Sequence, residues 1–141
     1  EVGRQFGMRA LRVPREPGHA MAPGCAVLLA QARRASLVTP DAVLGLRWTG
    51  QMTRERMLAA VEHLPDGMVE IYTHPATSDS FPGSARGYRY RDELAALVDR
   101  DVIAAVKCSR RSTGGYADAA AARPGLLSAG SRRAETIQSR P

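Results

Sequence analysis

Residues 69–75 read Val-Glu-Ile-Tyr-Thr-His-Pro, and this stretch decides the fold class. It follows the turn residues Pro65-Asp66-Gly67, and its β-branched and aromatic content predicts a buried strand over Met68–Thr73. Pro75 keeps the backbone of His74 extended and sets the direction of exit. With a two-residue repeat, Glu70 and Tyr72 share one strand face, and Ile71 and Thr73 share the other.

The segment before it is a helix. Met57, Leu58, Val61 and Leu64 fall on one face, Thr53 is positioned as its N-cap, and Glu55 lies in its first turn. Before that helix, Ala42–Leu46 is a short apolar run that predicts a second strand, ending in the glycine-bearing loop Gly45–Gly50. Pro23 opens an earlier helix with Val27, Leu28 and Ala35 as its apolar stripe and Arg33 and Arg34 at its end. Met8–Val13 predicts another strand, stopped by Pro14. Glu1–Phe6 reads as a helix tail closed by Gly7.

Beyond the central strand, Ala76–Tyr88 is a Ser/Gly/Pro-rich loop. Asp92–Val98 predicts a helix with Leu94, Leu97 and Val98 inward. Asp101 caps a further helix, Val102–Ser109, and Gly114-Gly115-Tyr116 leads a short strand. The alternation of strands and helices, with strands spaced by roughly thirty residues, predicts an α/β fold with parallel strands and helical crossovers. A complete (β/α) barrel takes about 250 residues, and this chain supplies roughly half of that. Residues 1–118 are expected to form a partial barrel. Residues 119–141, rich in Ala, Arg and Ser, are expected to be a disordered tail.

Composition narrows the function classes. The chain has 141 residues, 44% hydrophobic and 24% charged, which suits one globular domain. No apolar run reaches ~18 residues, so no transmembrane helix is predicted. The net charge of +6 and pI near 10.1 raise a second reading, a small Arg-rich module that contacts nucleic acid. The arginines are scattered rather than striped and Lys107 is the sole lysine, so a solvated basic surface is preferred and no nucleic-acid partner is expected. Cys25 and Cys108 have no CxxC spacing and fit a reducing compartment, hence a cytoplasmic location. The first residue is Glu1, which suggests a processed product or a piece of a longer chain.

In parallel α/β proteins, chemistry gathers at the C-terminal ends of strands. That rule selects Arg12–Glu16, Gly45–Gly50 and Glu70–Pro75. His74 has an imidazole suited to proton transfer near neutral pH, or it serves only to bond a loop carbonyl. Glu70 either pairs with Arg12 or is solvated at the strand entrance, and the solvated reading is preferred. Arg12 and Glu16 fit an anionic-group site or surface charges. Trp48, the only tryptophan, either stacks on a sugar ring or anchors its loop. Tyr88 and Tyr90 read as packing in their loop. His19 and His63 have no metal-ligand spacing, and no HxxxH, HxH, HExxH, Walker or G-x-S-x-G motif occurs.

Several segments taken together are similar to a known family. Glu70-Ile-Tyr-Thr-His74-Pro75, Tyr88, Arg91-Asp-Glu93-Leu94-Ala-Ala-Leu97 and Asp101-Val102 resemble the C-terminal half of the YdjC-like (ChbG/HpnK) carbohydrate deacetylases. Phe6–Glu16 resembles the segment after that family's second metal-binding histidine motif, and Gly45–Thr53 resembles the hopanoid-associated HpnK branch. The resemblance implies a barrel-like, metal-dependent hydrolase that removes N-acetyl groups from amino sugars, here on a hopanoid-type, lipid-linked glycan. It implies a divalent metal, zinc or magnesium, whose ligands lie N-terminal to Glu1, so this chain carries no metal residues and is inactive alone. It implies His74 as the catalytic residue and Arg12, Glu16, Trp48 and Tyr72 as substrate-binding residues. The implied partner is an N-acetylated amino sugar, with a homo-oligomer expected because a partial barrel leaves apolar sides uncovered.

Overall fold

The computed structural model describes residues 2–18 and 23–122. Its elements are α1 (Val2–Gln5), α2 (Pro23–Arg34), β1 (Ala42–Leu44), α3 (Arg54–Glu62), β2 (Val69–Ile71), α4 (Tyr90–Leu97), α5 (Arg100–Cys108) and α6 (Tyr116–Ala121). β1 and β2 pair in parallel, with Ala42, Val43 and Leu44 opposite Val69, Glu70 and Ile71. α3 crosses between them, so β1-α3-β2 is a βαβ unit and the chain is α/β.

The expected strand over Met8–Val13 is not formed; only an isolated parallel bridge joins Ala10 to Val38. Backbone bonds still lay this segment alongside β1: Val38 N–H donates to Arg9 O at 2.9 Å, Leu11 N–H to Val38 O at 2.8 Å and Val43 N–H to Arg15 O at 2.7 Å. The ladder fails between these bonds because Pro14 on one side of the gap and Pro40 on the other have no N–H to give. The expected strand at Gly114–Tyr116 is also overturned, since Tyr116 begins α6. Asp118 Oδ2 accepts the Gly115 N–H at 2.7 Å, which favours a helix start, and the alanines that follow are strong helix formers. α6 therefore runs through the expected boundary between 118 and 119, and the remainder of the expected tail, from 123 onward, lies outside the described residues.

The core sits between one face of β2 and the helices. Met52, Met57, Ala96 and Val102 are buried together, and Leu58, Ala60 and Ile71 pack on them. α3 buries Met57 and Val61, on the stripe expected from its periodicity, and Met57 belongs to this cluster. β2 itself is half-buried rather than buried, because among the described residues it has a strand partner on one side only. α2 turns Leu29 and Ala32 inward and leaves Val27 exposed, one step away from the expected stripe.

α4 starts at Tyr90, not Asp92, and its register differs from expectation. Its buried residues are Tyr90, Glu93 and Ala96, while Leu97 is 41% and Val98 65% exposed. The N-cap of α5 is Asp99 rather than Asp101: its carboxylate accepts the N–H groups of Asp101 at 2.9 Å and Val102 at 3.1 Å. The bond from Val102 holds the Asp99 carboxyl below its ordinary range. Arg54 of α3 bonds Asp99 at 3.1 Å and pairs with Asp101, which ties the start of α3 to the start of α5.

No helix among the described residues is long and apolar enough to cross a membrane.

Candidate functional site

Past the ends of β1 and β2 the chain makes two turns that touch. Leu44 is followed by Gly45 with φ +93, so the strand expected to reach Leu46 ends here. β2 continues as an extended segment through Tyr72, whose N–H donates to Leu44 O at 2.8 Å. A Cβ on Gly45 would lie 2.7 Å from Tyr72 O, so only glycine permits this approach. Gly50, also at positive φ, gives its carbonyl to Arg89 N–H at 2.7 Å and lies under the Tyr88 ring.

His74 stands at this junction with its side chain 24% exposed. Its Nε2 is 2.8 Å from Tyr72 Oη. Its ring meets Tyr72 edge-on at 4.5 Å and Tyr88 at 5.0 Å between centroids. Its Nδ1 is buried without a hydrogen-bond partner and lies 3.9 Å from Glu93 Oε2.

Glu93 is the residue that sequence reasoning missed. It is 0% exposed, the one charged residue in the buried set of the described chain. Oε1 accepts the Met52 N–H at 2.9 Å, and Oε2 accepts the His74 N–H. One carboxylate thus holds both strand-end turns. The signal was the spacing Tyr90, Glu93, Ala96, a helix stripe with a single charge on it.

On the other face of β2, Glu70 and Tyr72 lie together as their alternation requires. Glu70 pairs with Arg12 and accepts the Tyr116 hydroxyl, and its side chain is only 14% exposed. The solvated reading of Glu70 is therefore corrected: Arg12 is within reach because residues 9–15 run beside β1. The Arg12 guanidinium also lies 4.7 Å from the Tyr72 ring centroid. A continuous chain results, Tyr116–Glu70–Arg12–Tyr72–His74–Glu93.

The hydrogen bond to Glu70 raises the Arg12 pKa above its ordinary value. Burial, then the bond to Glu70, pushes the Tyr116 phenol from 10.0 up to about 12. Its proton is held more tightly in the folded chain. The stabilising contribution is full below pH 10.0 and is lost as pH rises through about 12. Tyrosinate absorbance should show one phenol ionising late, coupled to a fall in stability over that interval, and both features should vanish in Tyr116→Phe.

Glu16 and Trp48 occupy a second, adjoining place. Glu16 accepts the N–H groups of Gly45 at 3.2 Å and Arg47 at 2.7 Å, so its carboxylate shapes the loop after β1. Trp48 is 41% exposed, and Arg56 covers one ring face at 3.9 Å from the centroid. Both line an open cleft of about 440 Å³ with Leu44, Met52, Arg56 and His63. Arg12, Tyr72 and His74 do not line that cleft; the two places are joined through Gly45 and Met52. His63 Nδ1 is 3.0 Å from Ala59 O of its own helix, and His19 lies outside the described residues.

A βαβ unit with an imidazole, a buried carboxylate and a tryptophan gathered past its strand ends defines an α/β protein with a polar strand-end site. The family model of YdjC-like proteins matches residues 1–107, and the chain belongs to that family. Membership supports a hydrolase reading, within the carbohydrate deacetylase superfamily. No curated protein and no solved structure matches the chain. Among the described residues no three His, Cys, Asp or Glu side chains converge as a metal site. The divalent metal that the resemblance implies therefore finds no ligand set in them.

Proposed function

We propose that this chain forms the substrate-facing wall of a hydrolase that removes N-acetyl groups from amino sugars, with His74 as its acid–base residue. The observation that carries the reading is the placement of His74. Its ring is partly exposed at the strand ends, held between Tyr72 and Tyr88, with Nδ1 turned inward to Glu93. An imidazole so held can give a proton to a departing amine. Arg12 and Tyr72 build the wall beside it. Trp48 offers one uncovered ring face to a sugar, and Glu16 keeps the Trp48 loop in place.

Three finer parts of the proposal rest on the sequence. The metal is zinc or magnesium, bound by residues other than those described. The fold is half of a (β/α) barrel, a reading that the parallel βαβ unit supports. The substrate is a hopanoid-type, lipid-linked amino sugar, supported by the Gly45–Thr53 segment. The free cysteines Cys25 and Cys108 support a reducing, cytoplasmic setting.

Titration with an N-acetylglucosamine oligosaccharide should change the fluorescence of Trp48 and move the ring resonances of His74, whereas a glucose oligosaccharide should do neither. The 141-residue chain should bind without turning the sugar over. Silence of both probes would refute the sugar reading, and turnover by the chain alone would refute the assignment of the metal ligands elsewhere.

A further inference from the structure

We propose that Glu93 is the positioning residue of His74: it fixes the backbone there and selects the Nδ1–H tautomer of the ring. The inference deepens the functional reading above and rests on His74 as its acid–base group.

The argument is electrostatic. Glu93 is 0% exposed, and its two oxygens already accept the N–H groups of Met52 and His74. A carboxylate oxygen has a second acceptor site, and Oε2 lies 3.9 Å from Nδ1. That distance is too long for a hydrogen bond, but Nδ1 is buried and has no other partner among the described residues. An Nδ1 lone pair facing the carboxylate would be repelled, whereas an Nδ1–H would be attracted, and a small ring rotation would close the contact.

The other side of the ring agrees. The Nδ1–H tautomer leaves Nε2 as the acceptor, and Tyr72 Oη, at 2.8 Å, can donate to it. The groups that face His74 are Tyr72 from the exit of β2, Tyr88 from the 76–89 loop and Glu93 from α4, with Arg12 behind the Tyr72 ring. These contacts are met together by Tyr72 O–H to Nε2 and Nδ1–H toward Glu93. A proton gained at Nε2 then creates an imidazolium whose second N–H already faces a buried carboxylate.

Nitrogen-15 multiple-bond spectra of the whole chain, taken where the His74 ring is neutral, read the tautomer directly. The Nδ1–H pattern is expected; an Nε2–H pattern overturns the assignment. In Glu93→Gln the Nδ1–H to Nε2–H ratio should fall about tenfold, since the facing charge is gone. An unchanged ratio in a folded Glu93→Gln chain also overturns it. If that variant does not fold, the wild-type spectrum decides. An Nδ1–H ring in a chain that binds no sugar upholds this assignment and counts against the functional reading alone.

Discussion

Replacing Glu93 by alanine should lower the unfolding free energy by about 3–5 kcal/mol, enough to remove much of the stability of a chain this size. The carboxylate is fully buried and accepts two backbone N–H groups, one from Met52 and one from His74. Alanine leaves both donors without a partner, at roughly 1–3 kcal/mol each, and opens a cavity besides. Methionine would fill the space but restore neither bond, so Glu93→Met should recover only the cavity part. Glutamine keeps one acceptor oxygen and should cost less than either. Urea unfolding of the three variants checks the order Ala, then Met, then Gln, from most to least destabilised. Small and equal losses for Met and Gln beside a large loss for Ala would mean that volume, and not acceptance of the two N–H groups, is what Glu93 supplies.

The burial of Glu93 escapes a sequence reading for a physical reason. The segment Tyr90–Val98 carries two interleaved stripes. Leu94, Leu97 and Val98 form the more apolar one, and a rule that turns apolar stripes inward selects it. That rule assumes an apolar surface on the far side of the helix. α4 instead meets the backbone N–H groups of Met52 and His74, which call for an acceptor, so the stripe with Tyr90, Glu93 and Ala96 turns in. Where the partner is apolar, the same rule works: Met57 and Val61 of α3 are both buried, and Met57 joins the cluster that also receives Ile71.

The strand readings divide along similar lines. Val69–Ile71 is legible because alternation and flanking turns agree, and so is its parallel partner Ala42–Leu44. The segment ending at Val13 lies beside β1 as its pattern suggests, yet prolines on both sides of the gap deny it a ladder. Tyr116 misleads because a Gly-Gly pair resembles a turn into a strand. What decides its conformation is Asp118, bonding back to Gly115. Of the site, His74, Tyr72 and Arg12 are visible by their place at strand ends. Their chain of contacts is not, since it depends on Glu70 and Tyr116 meeting from segments 46 residues apart.

The second large effect is expected at Gly45, where the added atom is a single methyl. Gly45→Ala should destabilise the chain by about 2–4 kcal/mol. Its φ of +93 is a conformation that L side chains rarely adopt, and the new Cβ would stand 2.7 Å from Tyr72 O. A flexible side chain could swing away from such a contact, but a backbone carbonyl cannot. Moving it would disturb the bond from Tyr72 N–H to Leu44 O, and moving Gly45 would draw its N–H from Glu16. Either relief shifts the turn that sets the direction of the His74 ring, so the His74 resonances should move with the loss of stability. Gly24 provides the control. It lies in α2, needs no positive φ, and a Cβ added to it would meet no atom within 4 Å. Gly24→Ala should therefore stabilise the chain by roughly 0.5–1 kcal/mol and leave His74 unmoved. If the two alanines cost the same, the close passage of β1's turn over Tyr72 is not what orders the site. A stability loss at Gly45 alone, carried to His74 just beyond the carbonyl it strikes, would tie the glycine to the imidazole.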